Sequence, residues 1–124
     1  MAATVQPVIN LDPAVAVLGV AGTTINNTEG NLITVPVGLP SAEPEELVIE
    51  ITHTSTAKTC TINAGDFEGA AATTFTLADG SGTATVYRVV PVSSKHLKAN
   101  GTILLTFAAS TTGTVRCFWV RPSA

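Results

Sequence analysis

Apolar and polar residues alternate in one stretch after another between Leu47 and Val120. In the first stretch Leu47, Ile49 and Ile51 fall on one side, and Val48, Glu50 and Thr52 on the other. A period of two is the mark of a strand with one buried face and one wet face. The pattern predicts strands over Leu47–Thr54, Thr59–Asn63, Thr73–Leu77, Thr83–Val92 and Thr102–Ala108, and a last strand that ends at Arg121-Pro122. Cys60 and Ile62 point inward on the second, Phe75 and Leu77 mark the third, and Ile103, Leu105 and Phe107 share a face of the fifth. Val115, Cys117 and Trp119 make the inward face of the last.

The connections fit the same picture. Ser55 to Lys58 turns the first two strands into a hairpin. Ala64 to Gly69 is a loop, and Asp79-Gly-Ser-Gly82 is a turn of residues that tolerate positive φ. The fourth strand stops near Pro91, because proline cannot donate to a ladder. Ser93 to Gly101 is the one candidate helical turn, opening on serine and closing on Asn-Gly. Strands at this spacing predict an all-β chain: a β-sandwich, jelly-roll or Ig-like, of about seven to nine short antiparallel strands.

The first forty residues read differently. Pro7, Pro13, Pro36 and Pro40 cut them into short extended pieces, Val5–Ile9, Ala14–Val20 and Leu32–Val37, and Gly22 to Gly30 is turn-forming. Residues 1–40 are therefore expected to form an extended arm or edge strands, and residues 41–124 the sandwich. The arm is expected to supply a large share of any contact, with Val5, Pro7, Val8 and Ile9 as candidate interface residues. The run Ala14 to Val20 has no basic leader before it and is too short to span a bilayer, so synthesis in the cytosol without a membrane partner is expected.

Composition adds two points. Only 12% of the 124 residues are charged, about half the usual ~25%, and threonine fills roughly one position in six. A surface so thin in charge suits a component of an assembly. The net charge of −3 gives nucleic acid no basic footprint to bind. Charge is also unevenly placed. Glu43, Glu45, Glu46 and Glu50 cluster early, while Arg88, Lys95, Lys98, Arg116 and Arg121 are the only charges from Tyr87 onward. Solvated surface charge and complementarity between neighbouring molecules both fit that split.

Little in the chain offers chemistry. His53 and His96 are the only histidines, and both are expected at the surface. Neither a Gly-x-Ser-x-Gly elbow nor a phosphate loop is present. Asp66 and Glu68 sit in a small glycine-flanked loop with too few oxygens for calcium, and no Cys/His set suits zinc. No enzyme activity, cofactor or metal is expected. Cys60 and Cys117 are expected as small buried hydrophobes, with a cross-strand disulfide as the alternative. Trp119 fits the core, and otherwise a carbohydrate platform or an interface anchor. Phe118 then points outward between Arg116 and Val120. With Tyr87 and Arg88 it marks the first place to look for a contact patch, and Arg121 closes the same basic segment.

Four runs carry a resemblance: Thr59-Cys-Thr-Ile-Asn-Ala-Gly-Asp66, Val86-Tyr-Arg-Val-Val-Pro-Val-Ser-Ser94, Asn100-Gly-Thr-Ile-Leu-Leu-Thr-Phe107 and Gly113-Thr-Val-Arg-Cys-Phe-Trp-Val-Arg-Pro122. Their cadence resembles small β-sandwich structural proteins of tailed bacteriophages, the capsid decoration (cement) proteins above all. It covers roughly residues 45 to 122 as a pattern of strands and turns. The resemblance implies a virion protein on the outer capsid surface that bridges major capsid protein subunits and associates into a small homo-oligomer. It brings no active-site residues with it. A tail or fibre component and a carbohydrate-binding module are the alternatives.

Overall fold

A computed structural model gives the architecture and describes residues 3–11, 22–35, 47–80, 83–89 and 94–120. The expected strand Ala14–Val20, the glutamates Glu43, Glu45 and Glu46, the residues beyond Val89 in the expected strand Thr83–Val92, and Arg121 lie outside the described residues. Ten strands are present: β1 (Thr4–Gln6), β2 (Val8–Leu11), β3 (Thr23–Thr24), β4 (Asn31–Thr34), β5 (Leu47–His53), β6 (Lys58–Ile62), β7 (Thr73–Leu77), β8 (Thr85–Val89), β9 (Thr102–Phe107) and β10 (Gly113–Val120). A 3-10 turn at Ser94–His96 stands where a helical turn is expected. The described residues contain no α-helix.

The strands form two five-stranded sheets. The first runs β1-β4-β9-β6-β7. The second runs β2-β10-β5-β8, with β3 also on β10. On that one edge of β10, Thr114 and Val115 pair with β3, and Cys117 to Val120 pair with β2. The sheets do not close into a barrel.

The expected hairpin across Ser55 to Lys58 is corrected, because β5 and β6 lie on different sheets and do not pair, and the expectation of antiparallel pairing throughout is corrected at two places. β1 lies parallel to β4, and β2 lies parallel to β10. The expected single piece Val5–Ile9 is also two strands on two different sheets. The break falls at Pro7, which has no N–H for a ladder and a fixed φ, so the chain leaves one sheet there and enters the other. β3 falls inside the stretch read as a turn, Gly22 to Gly30.

The alternating positions make the core. Leu47, Ile49 and Ile51 on β5, Cys60 and Ile62 on β6, Ile103 and Leu105 on β9, and Val115 and Cys117 on β10 are all buried. Both sheets feed this one apolar cluster, and Phe75, Tyr87, Val8 and Leu97 pack against its margin. Burying each large apolar side chain contributes about 1.5–3 kcal/mol, and the cluster is where the fold draws its stability. Trp119 belongs to it and is 7% exposed. Cys60 and Cys117 are free thiols on different sheets, and burial pushes both up to about 12.

Both histidines are corrections, because each is buried rather than at the surface. His53 continues the inward positions Leu47, Ile49 and Ile51, so the alternation carries it inside at the end of β5. Its Nδ1 lies 3.1 Å from Ser55 Oγ, and its Nε2 has no partner. His96 closes the 3-10 turn and is held against the loop after β6 and the start of β7. Its Nδ1 lies 3.2 Å from the Asn63 carbonyl and its Nε2 3.4 Å from Thr73 Oγ1. The same loop and turn are stitched together by Gly65 N–H to Lys95 O and Asp66 N–H to Leu97 O.

Candidate interaction surfaces

The outer face of the second sheet is set by register. Ile9 on β2, Phe118 on β10 and Val48 on β5 form one cross-strand row. The next row places Arg116 opposite Glu50, with Arg88 at the register position beside Glu50 on β8. A third row runs Thr24, Thr114, Thr52 and Val86. Ile9, Phe118 and Val48 are half-buried, and Val86 is 51% exposed. The face is thus two largely uncharged rows on either side of a charged one.

The charged row is itself built. Arg116 donates to the Glu50 carboxylate in an ion pair, and Glu50 is buried beneath the half-exposed guanidinium. The Arg116 guanidinium also stands 5.5 Å from the centre of the Phe118 ring, within cation–π range. One arginine therefore holds the polar row and the apolar row in fixed relation. Glu50 reads in sequence as an ordinary outward residue. Its burial follows from the register that sets Arg116 directly across from it.

The candidate interface residues do not all gather here. Ile9, Arg116 and Phe118 do. Tyr87 pairs with Ile51, an inward position, so it faces the core rather than Phe118. Its hydroxyl donates to the Ala78 carbonyl at 3.3 Å, and its ring centre is 6.5 Å from that of His53. Val8 pairs with Cys117 and packs on the core. Val5 is 72% exposed on β1, an edge of the first sheet, and exposed Pro7 marks the crossing between sheets. Val48 and Val86 belong to the face and were missed, because each reads only as the polar-side position of its strand.

Where β1, β3 and β4 meet, a set of amides ties the N-terminal strands to the fold. Buried Gln6 donates from Nε2 to the Val115 carbonyl at 2.9 Å and accepts from Asn31 Nδ2 at 3.2 Å. Asn31 Oδ1 accepts the Asn26 N–H, and Asn26 Nδ2 donates to Thr4 Oγ1. Asn26 Oδ1 in turn accepts the N–H groups of Thr28 and Glu29. An open cleft of about 490 Å3 is lined here by Thr4, Thr23, Thr24, Ile25, Asn26 and Asn27. The polar groups beside it bond one another, which fits a structural joint.

Among the described residues no group of three or more His, Cys, Asp or Glu side chains stands together as a metal site. Comparison with known proteins gives no family model, no curated protein and no solved structure similar to the chain.

Proposed function

We propose that this chain is a non-enzymatic structural protein of a phage virion, which decorates the capsid and stabilises it by bridging major capsid protein subunits. The outer face of the second sheet carries the reading. The row Ile9, Phe118 and Val48, with Val86 beyond the Glu50–Arg116 pair, offers apolar area with one half-buried ion pair to fix orientation. Specific contacts are built that way, from an apolar centre with few charges.

Strand order supports the same reading. We read β3 to β10 as the eight strands of a jelly-roll sandwich. Counted from β3, one sheet runs first, eighth, third, sixth and the other second, seventh, fourth, fifth. All of those pairs are antiparallel, and β1 and β2 are additions on the outside. Jelly rolls serve viral capsids and also lectins, so fold alone assigns no role. The carbohydrate-binding alternative expects an exposed aromatic platform, whereas Trp119 is in the core.

The chain works here by area and number of copies, with no bond made or broken. It associates into a small homo-oligomer on the outer capsid surface, after synthesis in the host cytoplasm. Gold or antibody labelling of intact particles tests this placement. Label on the head surface is expected. Label confined to the tail or its fibres would overturn the capsid assignment in favour of the tail alternative.

A further inference from the structure

We propose that β7 is a self-pairing edge, on which a second copy of this chain adds its own β7 antiparallel about a two-fold axis at Phe75. This deepens the self-association in the proposed function and rests on no other part of it, since it requires no capsid.

The four outer strand positions are unequal. At one side of the molecule the chain passes from β1 through Pro7 into β2, so both edges there are joined by their own backbone. At the other side β7 ends the first sheet and β8 ends the second among the described residues. β8 carries Arg88. β7 reads Thr-Thr-Phe-Thr-Leu, and no charged residue occurs anywhere from Gly69 to Ala78. Natural edge strands are guarded by lysine, proline or a bulge, because unpaired N–H and C=O groups invite a further strand. β7 has no charge and no proline, which marks an edge meant to be covered.

The sequence of β7 fits a second copy of itself. With Phe75 on the axis, Thr74 of one copy meets Thr76 of the other, and Thr73 meets Leu77. Asp79, the first charge past the strand, meets Ala71, so no like charges oppose each other. Thr74 and Thr76 are exposed, and Thr–Thr pairs suit a solvent-facing row. Phe75 is only half-buried although it packs on the core, and its counterpart would cover the remainder. Ala71 and Ala72, just before the strand, are small and exposed. Exposed Phe67 lies on the loop leading into the strand. The contact is isologous and closes as a dimer. A five-residue edge is short, so the dimer should dissociate on dilution.

Sedimentation velocity over a concentration series on the isolated chain tests this, with a thermal melt to confirm folding. Thr74 and Thr76 are exposed positions whose exchange leaves the core intact. The parent chain should pass from monomer to dimer as concentration rises. Thr74→Lys with Thr76→Lys opposes like charges twice and should weaken the dimer roughly tenfold or more. Thr74→Glu with Thr76→Lys opposes unlike charges across the axis and should restore or strengthen it. A parent that stays monomeric at all concentrations overturns the proposal. So does growth into species larger than a dimer, or a double-lysine variant that dimerises as well as the Glu/Lys one.

Discussion

The side-chain amide of Gln6 donates a 2.9 Å hydrogen bond to the backbone carbonyl of Val115, and this bond joins the first sheet to the second. Gln6 sits on a three-residue strand whose ladder pairing is to β4 alone, in parallel. The bond is buried, so neither group has water as a substitute.

Replacing Gln6 should therefore cost more than its strand suggests. Gln6→Ala leaves the Val115 carbonyl and the Asn31 amide short of a partner. A loss of about 1–3 kcal/mol is expected from urea denaturation. Gln6→Leu should fare no better, since it fills the space but bonds nothing. Thr28→Ala, an exposed change in the adjoining turn, should stay within about 0.5 kcal/mol.

Two glycines separate steric conflict from backbone strain. Gly113 has φ +141°, and a Cβ there would stand 1.9 Å from the Thr52 carbonyl oxygen on the neighbouring strand. Gly101 has φ +81° with open space around it. Gly101→Ala should cost about 1 kcal/mol for the left-handed conformation alone. Gly113→Ala adds overlap with a fixed backbone atom, and should cost about 3 kcal/mol or more. Denaturation midpoints of the two variants side by side check the order.

Stability should fall on mild acidification. Burial holds the His96 imidazole below its ordinary value, outweighing the hydrogen bond to the Asn63 carbonyl, and nearby Lys95 acts in the same direction as burial. In the unfolded chain a histidine titrates near about 6.5. Above that value His96 is neutral in both states and its contribution is complete. As pH drops below it, the unfolded state takes up a proton that the folded state resists, and stability is lost down through the lowered folded value. Melting temperatures at several pH values between neutrality and mild acid should decline in the parent chain and decline less in His96→Gln.

The two thiols should be silent in the folded protein. Cys60 and Cys117 are fully buried, and at about 12 neither supplies thiolate near neutrality. A thiol-specific chromogenic reagent should find almost no reactive sulfur under native conditions and two per chain in denaturant.

What sequence reveals here follows from what a strand can show locally. The burial of Leu47, Ile49 and Ile51, of Ile103 and Leu105, and of Val115 and Cys117 is written in their alternation. Long-range pairing is not. Nothing within Val5 to Ile9 tells that its halves join different sheets, nor that both do so in parallel. His53 was legible in principle, because it keeps the inward phase of β5. Its chemistry argued for the surface and its phase argued for the core, and phase won. His96 had no such phase to read, since a partner 33 residues away in the chain fixes it. The candidate surface was half legible: Phe118 and Arg116 come from the phase of β10, while Ile9, Val48 and Val86 join them only through register.

Capsid decoration, as proposed, is tested most directly by co-sedimentation of the purified chain with intact phage capsids. The parent chain should pellet with them and saturate at a fixed number of copies per capsid. A folded variant with Thr52→Lys and Val86→Lys, which charges the outer face of the second sheet, should bind at least about tenfold more weakly. A parent chain that remains in the supernatant would contradict capsid decoration, and a variant that binds as tightly as the parent would contradict the assignment of that face.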